Sequence, residues 1–146
     1  SIGAKVAKPS AEGLDLDGDG SFAMVIQELA TCKEENIKVI PVIMNNAYLG
    51  MVRQWMELFF DKRYSGVYLK RTPDFAKVAE AYGLRGIRVE RDSEIGPALR
   101  DAYNSDVTTI VDVIVAEEAN ILPMFPAGAN NTEMFGGCIQ KRGNLF

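Results

Sequence analysis

Polar residues of the types that bind cations and phosphates follow two predicted strands of this chain. The segment Asp17–Ser21 comes directly after one apolar run, and Asn45 and Asn46 come after the next. The glycines permit a tight turn with close approach to a ligand, and Ser21 is predicted to open a helix whose free N–H groups attract an anion. Mg²⁺ takes about six oxygens, so we expect an asparagine carbonyl at the neighbouring strand end to join Asp19. These residues predict a diphosphate–magnesium site.

Two other interpretations of these turns stay open. Counted from Asp15, the early positions match a calcium-binding EF-hand loop, but Ala23 and Ile26 stand where that loop needs its later ligands. Asp-Gly and Asn-Asn are also ordinary turn formers. Their joint occurrence at consecutive strand ends favours the binding site over both alternatives.

Composition excludes several kinds of chemistry. The 146 residues predict one domain. The chain has no histidine and two cysteines, Cys32 and Cys138, which excludes histidine triads and the usual four-ligand zinc site. The net charge of −4 argues against nucleic acid and a polybasic membrane anchor as partners. No apolar run approaches the length of a membrane span, and a start without methionine predicts that the chain begins inside a longer protein.

Short β-like runs alternate with longer helical patterns, which predicts an α/β fold with a parallel sheet flanked by helices. We predict strands at 13–17, 37–44, 87–89 and 108–115, and helices at 21–35, 50–60 and 73–82. Asp92 or Ser93 is predicted to cap a further helix, Gly83 to end the helix before it, and Pro41 to leave one side of its strand unpaired. The domain is predicted over 1–135, with a tail at 136–146.

The two turns also resemble a known motif. Gly-Asp-Gly, then Asn46 at 27 positions after Asp19, resembles the thiamine diphosphate motif. The segment 45–55 (NNAYLGMVRQW) is more specific, and it resembles the large catalytic subunit of acetolactate synthase (acetohydroxyacid synthase). Shorter stretches at 2–5, 63–65, 73–75 and 122–124 support it. The resemblance covers roughly residues 2–135 and only the C-terminal cofactor domain of that family, so we expect a thiamine diphosphate-binding fold that is incomplete at its N-terminus.

The resemblance implies a role for individual residues. Asp19 and Asn46 would bind Mg²⁺ through side-chain oxygens, and Tyr48 through its backbone carbonyl. Trp55 would shape, with two neighbours, the pocket for a second 2-oxo acid. No catalytic acid or base is expected in this chain, because the family's activating glutamate lies in the N-terminal domain of a partner subunit. The cofactor-binding residues would be Gly18, Gly20, Ser21, Tyr48, Leu49, Gly50 and Met51, and the pocket residues Met51, Val52 and Trp55.

The implied reaction joins two 2-oxo acids with loss of CO₂, pyruvate with pyruvate or 2-oxobutanoate, in branched-chain amino acid biosynthesis. The implied cofactors are thiamine diphosphate and Mg²⁺, with FAD held by a middle domain of the full-length enzyme. The implied partners are the 2-oxo acid substrates, further copies in a homodimer or homotetramer, and a small regulatory subunit. The expected location is the cytoplasm, or a plastid or mitochondrion in a eukaryote.

Alternative functions remain open at this point. One is another thiamine diphosphate enzyme on the same scaffold: glyoxylate carboligase, pyruvate oxidase or a 2-oxo acid decarboxylase. Another is a non-catalytic module that binds divalent cations. Single residues also have plainer interpretations. Periodicity alone places Trp55 in the core, Asp17 could support Asp19 or lie on a solvated edge, and Cys32 is predicted to be a small buried residue. A basic loop at Lys62, Arg63, Lys70 and Arg71 is predicted to be solvated.

Overall fold

A computed structural model describes residues 1–69 and 73–136 of the chain. Four strands form one parallel sheet: β1 (Leu14–Gly18), β2 (Ile40–Asn45), β3 (Arg85–Val89) and β4 (Thr109–Ile114). Their spatial order is β1-β2-β4-β3, so the last strand in sequence lies inside the sheet. The predicted parallel sheet flanked by helices is confirmed. All four strands lie within one to three residues of their predicted positions.

The described part of the chain contains six α-helices. They are α1 (Ile2–Ala7), α2 (Asp19–Ala23), α3 (Leu29–Glu34), α4 (Gly50–Phe59), α5 (Phe75–Ala81) and α6 (Asp92–Asn104). The single helix predicted over 21–35 is wrong. Val25 leaves helical geometry at φ −125°, and a 3₁₀ turn at Ile26–Glu28 separates α2 from α3.

Two predicted helix caps are also wrong. Ser21 lies inside α2, which begins two residues earlier at Asp19 with Gly18 in extended geometry before it. Helix α6 begins at Asp92, and its first turn is held by the Glu94 carboxylate, which accepts the backbone N–H of Arg91 at 3.1 Å. Both helices therefore begin at or before the residue predicted to cap them.

The core lies on both faces of the sheet, because the two central strands alternate their side chains between them. Val39 and Ile43 pack on one face with residues of α2, α3 and α5, including an edge-to-face contact between Phe22 and Phe75 at 5.6 Å. Ile40 and Val42 pack on the other face with apolar residues of β3, β4 and α6. Burial of the central strands on both faces is typical of parallel sheets.

Strand β1 forms one edge of this sheet. Its leucines Leu14 and Leu16 share one face, as predicted, but that face is exposed, with 55% and 70% of their surfaces accessible. Pro41 pairs with Asp15 of β1 in regular register, whereas pairing of β2 with β4 begins only at Val42. The unpaired side expected from the proline is therefore the side toward β4.

Helix α5 packs closely against the backbone of β3. A Cβ added to Gly86 of β3 would lie 2.1 Å from the carbonyl oxygen of Ala76 in α5. Helix α5 ends at Ala81, and Gly83, two residues later, adopts φ +70° and confirms the predicted stop. Only glycine lets the strand lie this close to the helix.

Candidate functional site

The structure brings the two predicted turns together at the carboxyl end of the sheet. Strands β1 and β2 pair in parallel up to Gly18 and Met44, so the residues after them are neighbours. Gly20 lies directly against the second turn, because a Cβ there would be 2.6 Å from Cδ2 of Leu49. The Gly-Asp-Gly turn and the segment from Asn45 to Met51 therefore form one continuous surface.

Asp19 is the most deeply buried acidic group of this surface, with 1% of its area exposed. Within residues 1–69 and 73–136, no hydrogen-bond partner lies within reach of its Oδ2 atom. Burial raises the pKa of the Asp19 carboxyl, and the backbone N–H groups of Gly20 and Ala47 act in the opposite direction. A buried carboxylate oxygen without a partner fits a cation ligand, since an isolated buried charge is costly.

The turn after β2 is fixed by its own side chains. The Oδ1 atom of Asn45 accepts the N–H of Ala47 at 3.3 Å, and Oδ1 of Asn46 accepts the N–H of Tyr48 at 3.1 Å. Ala47 adopts φ +57°, a left-handed conformation that costs a residue with a Cβ about 1–2 kcal/mol. The carbonyl of Ala47 accepts the N–H of Leu69 at 2.7 Å, which ties the turn to the following loop.

Asp17 organises the first turn. Its Oδ1 atom accepts the N–H of Gly18 at 2.8 Å and also the hydroxyl of Ser21. The Ser21 hydroxyl is exposed on α2, which has five residues. Asp17 therefore holds the Gly18 backbone and the Ser21 hydroxyl on either side of Asp19. No hydrogen bond joins Asp17 to Asp19 itself among the described residues, so its support of Asp19 is indirect.

The predicted pocket residues Met51, Val52 and Trp55 lie together on the outer face of α4. With Met56, Phe60 and Arg63 they line an apolar groove of about 620 Å³. The Trp55 side chain is 42% exposed, so the core position that periodicity alone suggests is wrong. The physical reason is that α4 turns its polar face, rather than its apolar face, toward the rest of the domain.

Arg53 on the inner face of α4 is 1% exposed, and sequence reasoning missed it. Its guanidinium donates to Glu57 at 2.7 Å, to the carbonyl of Glu118 at 3.0 Å and to Oδ1 of Asn120, and it lies 5.8 Å from the centre of the Tyr48 ring. Hydrogen bonds from Asn120 and Arg53 hold the pKa of the Glu57 carboxyl below its ordinary value. Arg53 thus joins α4, the Tyr48 turn and the segment after β4.

Gln54 makes the same connection from the next position. Its Oε1 atom accepts the N–H of Ile121 at 2.8 Å, and its Nε2 atom donates to the carbonyl of Ile121 at 2.9 Å. Such a reciprocal pair holds one backbone unit in a single orientation. The sequence contains little signal for this, because an Arg-Gln pair in an apolar helix is usually assigned to the solvent side.

Asp112 is the second buried acid that sequence reasoning missed. It lies in the middle of β4 and is 0% exposed. Its Oδ1 atom accepts Nδ2 of Asn45 at 2.9 Å, and its Oδ2 atom lies 3.5 Å from Nη1 of Arg88. Burial raises the pKa of the Asp112 carboxyl, and the Asn45 hydrogen bond and the Arg88 charge oppose this. One acidic residue in the apolar run Thr109–Ile114 is a signal that could have identified it.

Of the remaining residue predictions, one is confirmed and the others concern residues that the structure does not describe. Cys32 is buried at 2% exposure, as predicted. Lys70, Arg71, Cys138 and the predicted tail beyond 136 lie outside the described residues. In the described part of the chain, no three histidine, cysteine, aspartate or glutamate side chains group as a metal site. None of the helices in 1–69 and 73–136 has the length and hydropathy needed to cross a bilayer.

In open α/β sheets ligands bind outside the carboxyl ends of the strands, and the buried, partly unsatisfied Asp19 carboxyl lies at that edge. Residues 1–113 match the family model described as thiamine pyrophosphate enzyme, C-terminal TPP binding domain. Because this match covers most of the chain, the chain belongs to that family, and its structure is the C-terminal domain fold of thiamine pyrophosphate enzymes.

Curated relatives narrow the comparison. Over 91% of its length the chain is 44% identical to the acetolactate synthase large subunit IlvB1 of Mycobacterium tuberculosis and 41% identical to the acetolactate synthase isozyme 2 large subunit of Escherichia coli. It spans 22% and 24% of those two proteins. The resemblance to acetolactate synthase large subunits predicted from the sequence is thereby confirmed.

A solved structure of a protein with a different activity confirms the fold. The Rhodococcus jostii RHA1 thiamine diphosphate-dependent 4-hydroxybenzoylformate decarboxylase superposes with a TM-score of 0.73 at 29% identity. The match covers 79% of this chain and 22% of that one. The domain is therefore shared between enzymes of different reactions.

Proposed function

We propose that this chain is the thiamine diphosphate- and Mg²⁺-binding part of an acetolactate synthase, an enzyme that condenses two 2-oxo acids with loss of CO₂. The observation that carries the proposal is the buried Asp19 carboxylate, whose Oδ2 atom has no partner within the described residues and lies beside the Asn45–Tyr48 turn. Mg²⁺ is usually bound through one or two carboxylates together with phosphate and water oxygens. One aspartate and one asparagine at this edge suit such a set.

Each turn has its own task in this proposal. Asp19, the Asn46 side chain and the Tyr48 carbonyl would hold the cation. Gly18, Gly20 and Ser21 would hold the diphosphate by backbone and hydroxyl donors, and Leu49–Met51 would line the cofactor's binding surface. When bound, thiamine diphosphate would supply the nucleophilic carbon for chemistry on a 2-oxo acid. The protein contributes position and charge, and the left-handed Ala47 fixes the turn before the cofactor arrives.

The outer face of α4 would receive the second 2-oxo acid. Met51, Val52 and Trp55 form an apolar wall, and Arg63 in the same groove carries a charge that suits a carboxylate. A wall of this kind distinguishes 2-oxobutanoate from pyruvate by one methylene, which is worth about 1–3 kcal/mol. Trp55→Leu in the complete enzyme should therefore lower the preference for 2-oxobutanoate, measured in competition with pyruvate. An unchanged preference would refute the pocket role.

The proposal also requires groups that this chain does not supply. The acid that activates the cofactor ring is expected from a partner subunit, which implies a homodimer or homotetramer of the full-length protein. FAD and a small regulatory subunit are further expectations from the family. The isolated 146-residue chain should therefore form no acetolactate from pyruvate, and measurable turnover by the pure fragment would overturn this division of the site.

Cofactor titration tests the core of the proposal. In the complete protein, Asp19→Ala should weaken Mg²⁺-dependent thiamine diphosphate binding by more than about 100-fold, since even partners that only orient a metal ligand contribute about 10–100-fold. The matched control is Asp15→Ala on the same strand, whose carboxylate contacts the Ser1 hydroxyl at 2.8 Å; it should bind normally. Equal affinities for wild type and Asp19→Ala in calorimetry would contradict the proposed site.

A 2-oxo acid decarboxylase is the second candidate, favoured by the superposition on a decarboxylase. Product analysis separates the two candidates. With pyruvate as sole substrate, a carboligase forms acetolactate and a decarboxylase forms acetaldehyde. Glyoxylate as sole substrate tests glyoxylate carboligase in the same assay, and a cation-binding module would form none of these products and would bind its cation without the diphosphate.

A further inference from the structure

We propose that Asp112 is a positioning residue for the cation site, because it sets the orientation of the Asn45 amide and thereby the turn that presents Asn46 and Tyr48. This inference rests on the proposed function, since it concerns how the ligands of that site are held. Asp112 lies on β4, next to β2 in the sheet, and forms a hydrogen bond with the Asn45 side chain at the start of the turn.

The geometry places Asp112 under the turn. It pairs in register with Ile43 of β2 on one side and with Arg88 of β3 on the other. Asn45 is the last residue of β2, and its Nδ2 atom reaches Oδ1 of Asp112 at 2.9 Å. The Asp112 side chain has 0% of its surface exposed, so its end of this hydrogen bond is shielded from water, and the Asn45 end is partly buried.

The chemistry of the pair decides which way the amide faces. An ionised carboxylate can only accept hydrogen bonds. The NH₂ group of Asn45 must therefore face Asp112, and its carbonyl oxygen must face away, toward the N–H of Ala47 at 3.3 Å. That N–H also lies beside the Asp19 carboxyl. An amide in the opposite orientation would set its NH₂ group against the N–H of Ala47.

Arg88 determines which way an amide at position 112 would face. Its Nη1 atom lies 3.5 Å from Oδ2 of Asp112, and its Nε atom donates to Glu90 at 2.8 Å. If Asp112 became an asparagine, Arg88 would attract the new carbonyl oxygen and leave the new NH₂ group facing Asn45. Asn45 would then have to turn over, which opposes two donors at Ala47. An isosteric change should therefore disturb the turn.

The test exchanges the two side chains. In the complete protein, Asp112→Asn should weaken thiamine diphosphate binding at saturating Mg²⁺ by about 10–100-fold. Asp112→Asn combined with Asn45→Asp should recover most of that loss, because Asp at 45 accepts from both the new amide and Ala47. Calorimetric affinity is one readout, and hydrogen–deuterium exchange of the peptide 45–50 without cofactor is the second, expected to rise in the single variant and return in the exchange.

The experiment distinguishes failure of the proposed role of Asp112 from failure of the proposed function. A single variant that binds as wild type, or an exchange that recovers nothing, overturns the role of Asp112. If Asp112→Asn does not fold, Asn45→Ala tests the same link from the exposed end of β2, and normal binding there overturns it as well. Wild type binding with Asp19→Ala failing to bind supports the proposed function independently of Asp112, whereas no binding by wild type overturns both.

Discussion

Helices α6 and α4 both follow strands of the same sheet, and they turn opposite kinds of face toward the rest of the domain. Helix α6 buries Ala98 and Ala102 at 6% and 0% exposure and leaves its charged residues outside. Helix α4 buries Arg53 and Gln54 and exposes an apolar stripe. The same amphipathic pattern therefore serves burial in one helix and presentation of an apolar surface in the other.

The difference between the two helices shows how a domain can expose an apolar surface on α4 and still fix the orientation of that helix. Apolar packing is not directional, so α6 is held by the shape of its contacts with the sheet. Helix α4 is held by hydrogen bonds from Arg53 and Gln54 to the segment around Asn120 and Ile121. Directional contacts on the inner face fix the rotation of the helix and leave its outer face available to a ligand or a partner.

The largest effect is expected where the structure relies on close apolar packing. Gly86→Ala places a Cβ 2.1 Å from the Ala76 carbonyl oxygen, between strand and helix backbones that cannot both stay in place. We expect a loss of about 3 kcal/mol or more in the free energy of unfolding, the upper range for overpacking. Chemical denaturation measures it.

The control for this change is a glycine with free space. Gly66 adopts φ +67°, and no described atom lies within 4 Å of a Cβ built there. Gly66→Ala should cost only the backbone strain of about 1–2 kcal/mol. Equal losses for the two variants would show that the α5–β3 contact is not tightly packed.

The next effect tests the polar side of the comparison. Gln54→Leu leaves the N–H and carbonyl of Ile121 without their partners at a position where Gln54 is 4% exposed. We expect a loss of about 1–3 kcal/mol in the free energy of unfolding. The same substitution at the exposed Gln27 should have almost no effect. If Gln54→Leu stabilised the protein, apolar burial rather than hydrogen bonding would control the rotation of α4.

A smaller effect is expected in the pH dependence of the cofactor-free protein. Burial raises the pKa of the Asp19 carboxyl in the fold above its unfolded value of about 3.9. The folded state thus holds this proton more tightly, so the stabilising contribution is complete below about pH 3.9 and is lost as the pH rises through the folded value. Each pKa unit of difference corresponds to about 1.4 kcal/mol.

Thermal unfolding from pH 4 to pH 7 measures this contribution. Asp19→Asn should flatten the decrease in stability, and Mg²⁺ with thiamine diphosphate should remove part of it in wild type. Asp112 shifts in the same direction, so the difference between the two proteins isolates Asp19. Parallel curves for wild type and variant would mean that Asp19 carries no unfavourable charge in the fold.

The smallest effect is expected on the exposed face of α4. Trp55→Ser removes a side chain that is 42% exposed and contacts Phe59 edge-to-face at 6.1 Å. The free energy of unfolding should change by about 1 kcal/mol or less, compared with about 3–5 kcal/mol for Phe75→Ala in the core. A loss for Trp55→Ser as large as that for Phe75→Ala would place the indole in the core after all.

The sequence was sufficient for the order of the four strands and for the meeting of the two turns, but helix α1 was not predicted and α2 and α3 were predicted as one helix. Parallel strands place their carboxyl ends at one edge, so residues after β1 and β2 had to be neighbours once the alternation was recognised. The broken helix between α2 and α3 was missed because Phe22, Ile26 and Leu29 keep helical spacing across the break. Periodicity describes side-chain spacing and is insensitive to one residue that leaves helical geometry.

The sidedness of α4 and the role of Asp112 depend on partners distant in sequence. Arg53 is buried because Glu118 and Asn120 return to it, and Asp112 is buried because β4 inserts between β2 and β3. Local sequence patterns contain no information about which distant segments of the chain pack against a given residue. Apart from Asp19, the buried polar groups of this domain were therefore the least predictable part of the site.

The position of β4 has a consequence for the synthesis of the protein. Strands β1, β2 and β3 leave the ribosome before β4, which joins β3 to the β1–β2 pair, and β2 and β4 are separated by a long stretch of chain. Pairing across such separations closes slowly. Until Asp112 arrives, Asn45 also lacks the acceptor that orients its amide. The turn after β2 therefore takes its final form only after β4 has closed the sheet.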